Sequence, residues 1–92
     1  MTRERLCITG IVQGVGFRPF VYRLAQEFNL GGFVLNTAEG IILEIEGEAE
    51  RLDAFKEVLQ NDLPPLARID TLEESGLEPT GEKGFAIRES DA

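Results

Sequence analysis

A chain of 92 residues fits one small domain with a thin core, so residues 1–92 are read as a single unit. Its 42% hydrophobic content is too high for a disordered chain, and its net charge of −8 has the wrong sign for a general nucleic-acid binder. One Cys and no His exclude an internal disulfide, a Cys-based zinc site and the usual general base near neutral pH, and no apolar run approaches the ~20 residues that cross a membrane. A reducing, cytoplasmic compartment is the simplest reading of a lone thiol. With this charge balance, any anion must be captured by a local site and not by the global field.

Arg5 to Val12 predicts a strand, with Leu6, Ile8 and Val12 on one face. Gln13-Gly14-Val15-Gly16 is a glycine-rich turn. A helix follows, because Phe17, Phe20, Val21, Leu24, Ala25 and Phe28 recur at helical spacing and Pro19 suits a first turn. Asn29 and Gly31-Gly32 stop it. Gly32–Thr37 and Ile41–Gly47 predict two strands joined through Ala38, Glu39 and Gly40. A second helix runs from Ala49 to Asn61, with Leu52, Phe55, Val58 and Leu59 as its apolar stripe, and Pro64-Pro65 follows it. Ala67–Leu77 and Phe85–Glu89 predict a fourth and a short fifth strand around a turn-rich loop, Glu78–Gly84. The order β-α-β-β-α-β plus a last strand is the split βαβ, ferredoxin-like pattern: an α+β sandwich with a five-stranded antiparallel sheet and two helices on one face.

The chemistry concentrates in Gly10-Ile11-Val12-Gln13-Gly14-Val15-Gly16-Phe17-Arg18, which runs from a strand through two glycines into a helix N-terminus. Glycines permit the positive φ angles that aim several backbone N–H groups at one point. The helix dipole adds positive potential there, and Arg18 adds a planar guanidinium suited to phosphate. The bland alternative is a mere chain turn with a solvated Arg. The segment is neither a dinucleotide fingerprint, since Pro19 stands where a third Gly belongs, nor a P-loop, since no Gly-Lys-Ser/Thr follows. Cys7 is a small strand residue away from Arg18, not a nucleophile beside it. Asn36 has two readings of equal weight: a turn residue that caps a hairpin, or an amide that orients a water. Glu44, Glu46, Glu48 and Glu50 read as a solvated acidic face, and Arg23, Arg68 and Arg88 as surface charges.

Val12-Gln13-Gly14-Val15-Gly16-Phe17-Arg18 resembles the signature loop of the acylphosphatase family, and Gly32-Phe33-Val34-Leu35-Asn36 with Gly40 resembles its second motif. The resemblance covers nearly the whole chain. It implies strand order 4-1-3-2-5, phosphate binding by Gln13, Gly14, Val15, Gly16, Phe17 and Arg18, and a water oriented by Asn36. Arg18 and Asn36 are thus the implied catalytic pair, with no metal, no cofactor and no covalent intermediate. Phe17-Arg18-Pro19-Phe20-Val21 and Pro64-Pro65-Leu66-Ala67-Arg68-Ile69-Asp70 are similar to the N-terminal domain of the HypF-type carbamoyltransferases of nickel–iron hydrogenase maturation. Free-standing acylphosphatases usually lack this Pro and carry Trp-Val-Arg where Phe33-Val34-Leu35 stand. The finer resemblance implies carbamoyl phosphate as substrate and, as partners, further domains of a longer chain and the hydrogenase maturation machinery. A free-standing acylphosphatase and a non-catalytic anion-binding module are the rivals. RNA binding on the sheet is disfavoured by the charge and by the lack of a basic, aromatic-rich strand.

Overall fold

The computed structural model describes residues 1–89. Positions 90–92 of the expected domain lie outside the described residues. The elements are β1 (Thr2–Ile11), α1 (Phe17–Glu27), β2 (Gly31–Asn36), β3 (Ile41–Gly47), α2 (Ala49–Asn61), β4 (Arg68–Leu77) and β5 (Phe85–Ile87). The strands form one sheet in the order β4-β1-β3-β2-β5, as expected.

Alternation along the strands sends Leu6, Ile8, Val34, Ile41, Leu43 and Ile45 to the face that both helices cover. Val21, Leu24 and Ala25 of α1 and Leu52, Phe55 and Leu59 of α2 complete the core. Phe28 and Phe55 meet edge to face, with centroids 6.4 Å apart. Asn29, at φ 55, ends α1 as its sequence suggests, and the Leu30 N–H returns to the Ala25 carbonyl.

One strand pair differs from the expected antiparallel sheet: β5 runs parallel to β2, with Gly32 opposite Phe85 and Val34 opposite Ile87. The cause is geometric. β4 ends at the edge of the sheet where β1 and β2 begin, and residues 78–84 cross to the far edge at that same end. Four inter-strand steps span about 19 Å, within reach of a short extended linker. The returning strand is therefore reversed relative to β4, and so is β2. β1 also starts earlier than predicted, at Thr2, because Arg3 and Glu4 continue the ladder opposite Glu46 and Ile45.

The same crossing corrects the reading of Glu44 and Glu46 as a solvated face. They are 6% and 5% exposed, and Arg3 beside them is 3% exposed. Arg3 binds Glu44 at 2.8 Å, Glu46 at 3.0 Å and Glu82 at 3.1 Å, and Arg5 binds Glu44 at 2.7 Å. Glu46 also accepts the Thr80 and Gly81 N–H groups, each at 2.8 Å. The linker lies over this end of the helix-free face and buries charges that alternation alone would leave wet.

The Thr80 N–H bond, followed by those from Arg3 and Gly81, outweighs burial and holds the Glu46 carboxyl below the usual carboxylate range. Burial pushes Glu44 up, but the Arg5 and Arg3 hydrogen bonds more than reverse it, so Glu44 also lies low. A carboxyl with a depressed folded-state pKa stabilises the fold above its unfolded pKa, and that stability is lost as pH falls through the folded value. Glu46→Gln should therefore lower the urea midpoint near neutral pH, and the gap to the parent should narrow on acidification to about pH 3. A gap that is constant with pH would show that the Glu46 charge does not hold the linker.

Candidate functional site

The turn between β1 and α1 is fixed at both ends by buried side chains. A β-bulge falls between Thr9 and Gly10, where Gly10 has φ 136 and a Cβ would stand 2.1 Å from the Arg68 carbonyl oxygen. Beyond the bulge Val12 enters the core at 2% exposure, and Phe17, the first residue of α1, does so at 1%. Val15 packs partly against the core between them. Gly14 at φ 73 and Gly16 at φ 78 make the turn in left-handed conformations. A Cβ at either glycine would meet nothing within 4 Å, so backbone torsion and not space requires glycine there.

The N-terminus of α1 has no side-chain cap, and its first turn carries no acidic residue. Of the first helical N–H groups, Phe20 donates to the Gly16 carbonyl, and Pro19 has none to give. Among the described residues, the N–H groups of Gln13 to Arg18 donate to no protein acceptor. They are available to an anion, in the field of an uncompensated helix dipole. Arg18 is half-buried at this mouth and has no carboxylate within salt-bridge distance among the described residues.

The hairpin between β2 and β3 stands beside the loop. Gln13 Nε2 donates to the Thr37 carbonyl at 2.7 Å and to the Gly40 carbonyl at 2.9 Å. Sequence reading gave Gln13 only a backbone role. Its side-chain link leaves no trace in the sequence, because the acceptors are main-chain atoms, which no residue type reveals. Asn36 is the last residue of β2, directly before Thr37. The turn-capping alternative for Asn36 fails, because Thr37 does that work: its Oγ1 accepts the Glu39 N–H at 3.3 Å and the Gly40 N–H at 3.1 Å. Asn36 Oδ1 is buried and has no protein hydrogen-bond partner. A cleft of about 360 Å³ borders this junction, lined among others by Val12, Gln13, Glu39 and Gly40. The junction holds loop N–H groups without protein acceptors, one unpaired Arg and one buried amide oxygen without a partner, the group types that a phosphoryl group and a water use.

The other singled-out residues lie elsewhere. Arg68 pairs with Asp70 on exposed β4, Arg88 lies 4.0 Å over the Phe33 ring, and Cys7 is half-buried on β1. Arg23 lines a groove of about 430 Å³ between α1 and α2, with Phe20, Val58 and Pro64. No helix among the described residues is long and apolar enough to cross a membrane.

A ferredoxin-like sandwich whose first helix opens on a loop of unpaired N–H groups beside an unpaired Arg defines an α+β domain with a candidate anion site. The acylphosphatase family model matches residues 4–87, and the chain belongs to that family. It is 50% identical over 88 residues to the carbamoyltransferase HypF of Rhizobium leguminosarum bv. viciae, covering 96% of this chain and 11% of that protein. It is 39% identical over 86 residues to the acylphosphatase of Mannheimia succiniciproducens, covering 92% of this chain and 94% of that one. Full-length HypF, solved in a phosphate- and nucleotide-bound form, superposes with a TM-score of 0.92 at 40% identity over 95% of this chain and 12% of its own. The acylphosphatase of Bacillus subtilis superposes with a TM-score of 0.89 at 31% identity, over 96% and 99% of the two chains. The chain thus spans about a tenth of the length of its carbamoyltransferase relatives.

Because torsion alone demands glycine at position 16, Gly16→Ala should fold but lose about 1–2 kcal/mol to left-handed strain. Urea denaturation measures this. An unchanged midpoint would mean that the loop relaxes to another conformation without loss.

Proposed function

We propose that this chain binds acyl phosphates in the Gln13–Arg18 loop and hydrolyses them to a carboxylate and inorganic phosphate. The observation that carries the reading is the set of free loop N–H groups at an uncapped helix N-terminus beside the unpaired Arg18. The loop amides of Gln13, Gly14, Val15, Gly16 and Phe17, with the Arg18 guanidinium, hold the phosphoryl oxygens. The Asn36 amide orients a water through Oδ1, which has no protein partner. The water oxygen bonds to phosphorus, the bond from phosphorus to the acyl oxygen breaks, and the carboxylate leaves with its electron pair. The water's proton passes to a phosphate oxygen, since no His is present to take it. An acyl phosphate has a good leaving group, so positioning and electrostatic stabilisation suffice as the main terms.

We further propose carbamoyl phosphate as the substrate in a longer carbamoyltransferase that serves nickel–iron hydrogenase maturation. Support comes from the 50% identity to a HypF carbamoyltransferase, from Pro19 after Arg18, and from Phe33-Val34-Leu35 before Asn36. On this substrate the products are carbamate and phosphate, and the partners are the other domains of such a chain. A cytoplasmic location fits the lone, unpaired Cys7.

Phosphate release from acetyl, benzoyl and carbamoyl phosphate tests the reading, and absence of release from all three would leave only an anion-binding module. Arg18→Ala should weaken inhibition by inorganic phosphate and cost about 3 kcal/mol in transition-state binding, on the order of a hundredfold in kcat/KM. Arg18→Lys should rescue little, because a point charge does not reproduce the planar fork. Asn36→Ala should lower kcat and leave the phosphate inhibition constant nearly unchanged. Parent kcat in Asn36→Ala would remove the water-orienting role.

A further inference from the structure

We infer that the Gln13 side chain is a positioning residue: it staples the phosphate loop to the strand that carries Asn36 and so sets the phosphoryl group against the attacking water. This rests on the hydrolytic reading above and adds a part to it.

Thr37 and Gly40 already close the hairpin on each other. The Thr37 N–H donates to the Gly40 carbonyl at 2.7 Å, and the Gly40 N–H returns to the Thr37 carbonyl at 3.3 Å. Each carbonyl therefore has a partner without Gln13, and the hairpin does not need Gln13 to satisfy its backbone. The two bonds from Nε2 use the second lone pairs, and both amide hydrogens are spent on one neighbouring element. Gln13 is exposed, so water would have served those hydrogens equally well. What the bonds add is a link between residues 24 and 27 positions apart, across a gap the sheet ladder does not bridge at this end.

The link is short in chain terms. Gln13 adjoins Gly14, where the loop turns, and Thr37 adjoins Asn36. The hairpin tip is itself stiff, since Thr37 Oγ1 holds the Glu39 and Gly40 N–H groups. A displacement of the loop is thus transmitted to Asn36 through two hydrogen bonds and one peptide unit. The side chain must be a long donor. Asn is one methylene too short, and Glu would set carboxylate oxygens against two carbonyls.

The test uses the 92-residue chain, with Gln13→Met as a variant of similar length that lacks donors, Asn36→Ala, and the double variant. Circular dichroism and the urea midpoint establish that each is folded. Gln13→Met should lower kcat on acetyl phosphate by about tenfold or more, since small misplacements are costly, while the inorganic phosphate inhibition constant moves less than about threefold. The double variant should be no slower than Asn36→Ala alone, because Gln13 acts through Asn36. In nuclear magnetic resonance titrations with inorganic phosphate, parent resonances should shift both in the loop and at the Asn36 side-chain amide. In Gln13→Met the loop should still shift while the Asn36 response disappears. If Gln13→Met keeps the parent kcat, or the two losses multiply in the double variant, the staple is overturned while the hydrolytic reading stands. A parent that neither releases phosphate nor shifts on phosphate addition overturns both.

Discussion

Val12 and Phe17 are both sunk in the core, and only four residues lie between them to turn the chain from the interior strand β1 into α1. That fixed gap governs the site. A strand that must become a helix over so few residues needs positive φ, which Gly14 and Gly16 supply, and the N–H groups of the turn enter no ladder. Buried Val12 and Phe17 anchor the loop at both ends. A loop anchored at both ends is the kind of scaffold on which electrostatic stabilisation avoids reorganisation.

The chain carries a charge of −8, yet its candidate site is a donor cluster for anions. The two are reconciled by the pairing of cations elsewhere. Arg3, Arg5, Lys56, Arg68 and Arg88 each have a carboxylate partner. Arg23, Arg51 and Lys83 lack one among the described residues but stand exposed, the first two on helices and Lys83 in the 78–84 linker, where water screens them. Arg18 alone combines half-burial, an unpaired guanidinium and a helix N-terminus. Any positive potential at the candidate site comes from local geometry and not from the overall field.

At the opposite end of β1, the Arg3–Glu44–Glu46 cluster performs a structural task of a different kind. It fastens the 78–84 linker over the helix-free face and thereby brings β5 beside β2. Buried ions of this sort give little net stability, because desolvation offsets much of the attraction. Their bonds are directional, however, and they specify the path of a linker that has few apolar residues to hold it. Phe85 completes the fixation by packing near Tyr22 of α1 at 6.3 Å between centroids.

The sequence by itself determined the two helices and the five strands, and singled out the loop as the candidate site. Each follows from local periodicity, turn residues or glycines at a strand–helix junction, and the family resemblance supplied the strand order. Asn36 stayed undecided in the sequence between turn and site, and Glu44 and Glu46 read as solvated, because their surroundings come from residues far along the chain. Tertiary structure alone decided that Thr37 caps the turn, that the linker buries the two glutamates, that β5 is parallel to β2, and that Gln13 reaches the hairpin. The reason is common to all four. Side-chain periodicity records which face a residue takes, but hydrogen bonds to distant backbone groups and the direction in which a linker returns leave no periodic trace in residue type.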